Sequence, residues 1–395
     1  MTEYRRGIVE VLKKRLSEPR RNIQVVIGSR QTGKSTALRQ LLDDDIAMPS
    51  HMVRASQDVR ATRDWLRREW GEARLLARRD GKALFAVDEI QMVDQWSTVV
   101  KDLWDEDCDT GCPLYVVLTG SSSLLLQSGL CEALTGRFEL IRCMQWDYQE
   151  CHSAFGFTLE QYLYFGGYPG AAPLIGDQRR WLDYMNDSII QPSISRDVVS
   201  LENVRKPALM QALFYLGASY SSQEVSYRKL LGQLDDAGNT VTIAHYLDLL
   251  DGAGLMTGLQ KYAEKQLNRR SSSPRLAVFD TSLMVAAYGP YRDFLLTDPE
   301  RKGHLVESAV GAYLLKRGLS DHFDVNWWRD GADEVDFVIQ SGDARTAIEV
   351  KSGRVRHLSG LDTFCALYPG THAIVVGSAD APLEAFLTGK VQLFV

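Results

Sequence analysis

The stretch Gly28-Ser29-Arg30-Gln31-Thr32-Gly33-Lys34-Ser35 constrains this chain more than any other. It is a complete G-x-x-x-x-G-K-[ST] loop. Ahead of it, Ile23-Gln24-Val25-Val26-Ile27 is apolar and β-branched, which predicts a buried strand. Behind it, Thr36-Ala37-Leu38-Arg39-Gln40-Leu41-Leu42 carries apolar residues at helical spacing. A strand that turns through glycines into a helix N-terminus aims backbone N–H groups and the positive end of the helix dipole at a polyanion. The expected ligand is therefore a nucleotide, with Gly28, Gln31, Thr32, Gly33, Lys34, Ser35 and Thr36 around its phosphates. Lys34 is placed to reach the β- and γ-phosphates, and the Ser35 hydroxyl to hold Mg²⁺.

Such a site needs a second strand that ends in acid. Ala83-Leu84-Phe85-Ala86-Val87-Asp88-Glu89 supplies one. Asp88 is expected in the Mg²⁺ shell, and Glu89 is expected to orient and polarise the attacking water. The adjacent glutamate favours hydrolysis over binding alone. No guanine-reading N-K-x-D follows, so ATP is the expected substrate. A third apolar strand, Pro113 to Thr119, runs into Gly120-Ser121-Ser122-Ser123, and further on lies Gly136-Arg137. Arg137 is either a finger that completes a neighbouring subunit's ATP site or an ordinary salt-bridging arginine; the sequence supports both.

With 395 residues, two or three domains are expected. No apolar run reaches the length of a membrane span, so no membrane partner is expected. The six cysteines form no C-x-x-C pair and read as reduced, mostly packed thiols of a cytoplasmic protein. A net charge of −6 argues against indiscriminate coating of nucleic acid. Two segments are locally basic. One runs from Arg54 to Arg79 with Arg60, Arg63, Arg67, Arg68, Arg74 and Arg78; the other runs from Lys261 to Arg275 with Lys265, Arg269 and Arg270. For either, a solvated face is the simplest reading.

The phosphate loop, the block Val87-Asp88-Glu89-Ile90-Gln91 and the run from Thr119-Gly120-Ser121-Ser122 to Gly136-Arg137 resemble a large prokaryotic family of AAA+ ATPases. The C-terminal domain of that family, described only as of unknown function, has a restriction-endonuclease-like fold. The likeness continues through Phe165-Gly166-Gly167-Tyr168-Pro169, Ser195-Arg196-Asp197-Val198 and Phe279-Asp280-Thr281, and so covers nearly the whole chain. It departs at Ser282, where the family usually has glycine, and at Met144-Gln145-Trp146, where Pro-Leu-Ser-Phe is commoner. The resemblance implies a polar residue at the end of the third strand that contacts the γ-phosphate or the water. Thr119, Ser121 and Ser122 are the candidates.

Beyond the ATPase core, residues 146–204 read as helices broken by Gly166 and Gly167, a plausible lid. A helix opening at Pro207, a serine-capped helix at Ser226 and a third at Asn239 to Leu250 follow helix-turn-helix logic. Val241, Ala244, Leu247 and Leu250 are the expected core stripe of the third. A hairpin with Arg269 and Arg270 at its tip would make this a winged helix, with Asn239, Thr240, Thr242 and His245 exposed to DNA. Protein packing is the rival use of the same fold.

After Gly303 the expected order is helix, three strands, helix, strand, which resembles the PD-(D/E)xK nuclease core. Glu307, Asp336, Glu349 and Lys351 fall on the matching elements, and alternation sends Glu349 and Lys351 to one face. Asp336 and Glu349 would hold Mg²⁺ and Lys351 would offset phosphorane charge. A degenerate nuclease fold used for binding or assembly is the alternative.

The expected protein is thus an α/β chain with four parts. These are a P-loop AAA+ ATPase core at 1–145, a helical lid at 146–204, a winged-helix domain at 205–285 and a PD-(D/E)xK nuclease-like domain at 300–395. Its expected function is an ATP-dependent DNA motor or remodeller using ATP and Mg²⁺, acting on branched or forked DNA. A homo-oligomer is expected, a hexameric ring being one form open to it. The alternatives are an ATP-driven switch that binds protein and an ATP-gated nuclease.

Overall fold

The computed structural model describes residues 4–44, 46–56, 61–120, 133–199, 204, 206–235, 238–263, 273–290, 294–351 and 359–395. The chain divides between Met144 and Gln145 into two compact units.

The first unit is built on a parallel sheet of five strands: β1 (Ile23–Ile27), β2 (Ser50–Arg54), β3 (Ala83–Asp88), β4 (Leu114–Gly120) and β5 (Phe138–Arg142), in the order β2-β3-β4-β1-β5. Every residue of β1 and β3 is buried, as a parallel strand covered by helices on both faces requires. Side-chain alternation divides the core in two. Val26, Leu84, Ala86 and Val117 pack with Leu12, Leu38 and Leu41 from the helices Gly7–Ser17 and Lys34–Asp44. Val25, Ile27, Phe85, Val87, Val116 and Leu118 face Trp65, Leu66, Trp70, Trp96 and Val100 from the helices Arg63–Asp80 and Trp96–Asp109.

Strand order matters for the site. β4 lies between the strand that leads into the phosphate loop and the strand that ends in Asp88. Val26 pairs with Thr119 and Val87 with Leu118, so three strand ends meet at one rim. The first basic segment largely neutralises itself here. Arg74 donates to the buried Asp107 at 2.6 Å and Trp70 donates to the same carboxylate at 2.8 Å. Arg67 and Arg68 pair with Asp64 and Glu69. Arg60 lies outside the described residues.

The second unit begins with the helices Tyr148–Phe155, Leu159–Phe165 and Gln178–Tyr184. It continues with the helices Pro207–Ser219, Tyr227–Gly232 and Thr240–Gly252, and with an antiparallel pair, β6 (Met256–Leu259) and β7 (Arg275–Val278). The long helix Pro299–Asp321 then leads into a sheet ordered β11-β10-β9-β8. Its strands are β8 (Asp324–Asp330), β9 (Asp333–Ser341), β10 (Ala344–Val350) and β11 (His372–Val376), and the helix Ser359–Leu367 precedes β11. β8, β9 and β10 pair antiparallel, and β11 joins β10 in parallel.

Two of the distant motifs meet. Asp280 is buried and caps the helix Thr281–Ala287. Its Oδ2 accepts the Gly167 N–H at 2.8 Å and its Oδ1 accepts the Ser282 N–H at 3.0 Å and the Ser282 hydroxyl. Ser282 thus adds a hydroxyl donor where glycine would leave none. Burial pushes the Asp280 carboxyl up, and Lys316 and these donors oppose the shift. No side chain fits at Gly167: a Cβ there would stand 1.9 Å from the Trp146 carbonyl oxygen.

One expectation needs correction. Val241 is 73% exposed, and the buried stripe of its helix is Ile243, Tyr246, Leu247, Leu249 and Leu250. The larger apolar residues set the rotation of the helix, and Val241 in its first turn falls outside their arc. Among the described residues, Cys108, Cys112, Cys143, Cys151 and Cys365 are free thiols. No described helix is long and apolar enough to cross a membrane.

Gly167→Ala should lower the stability of the chain by roughly 2–3 kcal/mol, because the backbone of Trp146 cannot yield as a side chain would. An unchanged unfolding midpoint would show that the cradle is less tight than its distances.

Candidate nucleotide site

The phosphate loop is held by its own lysine and by the end of β5. Gln31 and Gly33 take left-handed backbone angles, φ 57° and 93°, which turn successive N–H groups toward one side. The buried Lys34 ammonium donates to the carbonyls of Gly28 and Ser29 at 3.0 and 2.6 Å. Thr32, also buried, places its hydroxyl 3.0 Å from the Ser29 carbonyl and 2.9 Å from that of Cys143. Gly28 passes so close to this second carbonyl that a Cβ would stand 1.9 Å from it. Ser35 and Thr36 follow in the first turn of the helix Lys34–Asp44, where backbone N–H groups lack intrahelical partners.

Arg6, which the motif reading leaves without a role, braces the loop from below. Its guanidinium is 7% exposed and donates to the carbonyls of Thr32 at 2.9 Å and Met144 at 3.0 Å. It also lies 3.1 Å from the Cys143 sulfur. No local pattern marks this arginine, because its partners are far away in sequence.

Asp88 joins the three strand ends. The Ser35 hydroxyl donates to its Oδ2 at 2.8 Å, the Thr119 hydroxyl donates to Oδ1, and Arg54 Nε lies 3.7 Å from Oδ2. Thr119 is thus placed on the acid; Ser121 and Ser122 lie outside the described residues. Glu89 turns away from the strand in the left-handed region, φ 58°, and the Gln91 amide donates to its carboxylate. A non-glycine residue in this conformation is uncommon and costs of order 1–3 kcal/mol. A hydroxyl and a carboxylate at the end of the phosphate loop are oxygen ligands of the kind Mg²⁺ takes beside a nucleotide.

Arg137 stands at the opposite end of the sheet. Its carbonyl accepts the N–H of Ile23, the first residue of β1. It is therefore about one strand length, ~15 Å, from its own phosphate loop. Its guanidinium makes a two-pronged pair with Asp105, at 2.7 and 3.0 Å, and its hydrogen bond holds the Asp105 carboxyl below the usual range.

In the second unit, Asn239 caps its helix through the Thr242 N–H at 2.9 Å. Thr240 and Thr242 are half-buried and His245 is exposed. Arg269 and Arg270 lie outside the described residues. Glu307, Asp336, Glu349 and Lys351 come together, and Arg275 stands among them. Its guanidinium pairs with Glu307, with Glu334 at 2.9 Å and with Asp336 at 3.3 Å. Lys351 donates to Glu349 at 2.5 Å. Burial and then the nearby Glu307 push the Asp336 carboxyl well above its ordinary value, against the pull of Arg275. Among the described residues no group of three or more His, Cys, Asp or Glu side chains is placed to hold a metal ion.

The glycine loop, the acid-tipped neighbouring strand and the buried parallel sheet give the first unit the fold of a P-loop domain. In agreement, residues 20–152 match the family described as "AAA domain". Residues 156–292 and 302–388 match two further families, each described as a domain of unknown function (DUF8612 and DUF4143). An uncharacterized protein of Methanocaldococcus jannaschii is 25% identical over 294 residues, or 70% of this chain; the match spans 62% of that protein's length. An uncharacterized protein of Haemophilus influenzae is 22% identical over 353 residues, 83% of this chain and 82% of its own. Among solved structures, the Aeropyrum pernix ORC2 protein (ADPNP-ADP complexes) aligns over 80% of this chain and 96% of its own, with 12% identity and a TM-score of 0.44. The A. pernix ORC1 protein in complex with DNA covers 72% and 91%, with 14% identity and a TM-score of 0.31.

Arg6→Ala should weaken nucleotide binding about tenfold, the equivalent of one lost buried charge-assisted hydrogen bond. Titration of a fluorescent ATP analogue measures it; an unchanged Kd would remove Arg6 from the loop's support.

Proposed function

We propose that this chain hydrolyses ATP and couples the cycle to DNA. The observation that carries the first half is the convergence of Ser35, Thr119 and Asp88 at one rim, with Glu89 as the next residue. In this reading Lys34 leaves the loop carbonyls to meet the β- and γ-phosphates, and the N–H groups from Gly28 to Thr36 hold the remaining charge. Ser35 and Asp88 would hold a Mg²⁺ ion, which would neutralise phosphate charge. Glu89 accepts a proton from the attacking water, and Gln91 holds its carboxylate in place until then. Thr119 fixes the Asp88 rotamer. Arg137, remote from its own loop, is free in direction to serve a neighbour's site in a ring, after exchanging Asp105 for phosphate.

The DNA half rests on the element order Pro207–Ser219, Tyr227–Gly232, Thr240–Gly252, β6, β7, with Glu224 bridged to Arg275 as a third strand position. That order supports a winged helix, in which Thr240, Thr242 and His245 face DNA and Arg269 and Arg270 meet phosphate. Branched or forked DNA is the proposed substrate. One observation favours a protein partner instead: Val241 and Asp248 are exposed at helical spacing from His245, so the same face offers an apolar and an acidic side chain.

Lys34→Ala should abolish nucleotide binding. Glu89→Gln should keep binding and lose turnover by about a hundredfold or more. Turnover by Glu89→Gln at the wild-type rate would displace Glu89 as the base. ATPase stimulation by duplex, single-stranded, forked or four-way DNA, and binding that weakens with salt, are expected. ATP-dependent assembly with no DNA affinity would instead establish the protein-binding switch.

A further inference from the structure

The resemblance to a nuclease core implies a divalent cation between Asp336 and Glu349. The side chains present do not fit one. Arg275, from the first position of β7, is 5% exposed, and each of its guanidinium nitrogens lies beside a carbonyl or carboxylate oxygen. Nε donates to the Ser222 carbonyl at 2.9 Å. One terminal nitrogen reaches Glu334 at 2.9 Å and the Asp336 carbonyl at 3.4 Å; the other reaches Glu307 and Asp336 Oδ1 at 3.3 Å. The second oxygen of Asp336 accepts the Val350 N–H at 2.8 Å. A Mg²⁺ ion needs oxygen ligands at about 2.0–2.1 Å in near-octahedral array. Here the space between Glu307 and Asp336 is taken by a permanently charged group.

Glu349 is the member least committed to the arginine. Its Oε1 accepts from Lys351, and its buried Oε2 has no hydrogen-bond partner among the described residues. One such oxygen is short of a coordination shell. The network instead extends the other way. Glu334 is shared between Arg275 and Arg329, and Arg329 reaches Glu224 at 2.5 Å. Glu224 is bridged to Arg275 through the backbone.

We infer that Glu307, Glu334 and Asp336 form a receptor for the Arg275 guanidinium in place of a metal site, so that the C-terminal sheet clamps the root of the β6–β7 hairpin. A clamp of this kind fixes β7, and with it the paired β6, against the C-terminal sheet. It gives the C-terminal domain a mechanical task and no cleavage chemistry.

The sign of one stability change separates the two roles. In EDTA and without nucleotide, Glu307→Gln in the full chain should lower Tm by roughly 5 °C or more, because it leaves a buried arginine short of a carboxylate. In a vacant metal site the same change relieves repulsion between carboxylates, and Tm would hold or rise. Millimolar Mn²⁺ should not move the Tm of Lys34→Ala, a background chosen to silence the phosphate loop. Arg275→Met should lower Tm in EDTA and, where it folds, gain a Mn²⁺-dependent rise that the parent lacks. If it does not fold, the first two measurements decide. A Tm for Glu307→Gln at or above wild type, a Mn²⁺ rise of more than about 3 °C in Lys34→Ala, or DNA cleavage lost in Asp336→Ala would each overturn the clamp.

Discussion

Asp88 is the residue on which the candidate nucleotide site depends. It ends a strand buried on both faces, and its carboxylate is 2% exposed. A carboxylate so buried must be matched by partners, and they come from three other parts of the fold: hydroxyl donors Ser35 from the phosphate loop and Thr119 from β4, and the charge of Arg54 from β2. The insertion of β4 between β1 and β3 is what makes this meeting geometrically possible. Below the loop, the close approach of Gly28 to the end of β5 and the brace from Arg6 fix the height of the loop over the sheet.

The second unit follows the same rule with buried charges of its own. Asp280 gathers Gly167, Ser282 and the field of Lys316; Arg275 gathers Glu307, Glu334 and Asp336. Removing either partner of such a group leaves an uncompensated charge, which is the costly state. Each group ties elements far apart in sequence, so each acts as a fastener within the unit.

Much of this was legible from local pattern. The loop and its flanks, the acid at the end of β3 and the helix–strand order after Gly303 are readable because each is set by residues within a few positions. The rotation of the helix Thr240–Gly252 was misjudged at Val241, since spacing alone does not say which of two arcs carries more bulk. Arg6 and Arg275 were invisible as functional residues. Arg275 belongs to a run that composition reads as a solvated basic face, and only the fold turns it inward.

By itself the sequence determined the phosphate-loop pattern, because glycines, a lysine and a hydroxyl at that spacing are set within eight consecutive residues. It also determined the strands β1, β3 and β4 and the helix–strand order after Gly303, but not β2 or β5. Tertiary structure decided which charges meet. It placed Thr119 on Asp88, Arg137 a strand length from its own phosphate loop, and an arginine against Asp336, one of the two carboxylates that the resemblance assigns to a metal. The reason is that burial sets the cost of a charge, and burial is a property of the packed chain, not of any segment of it.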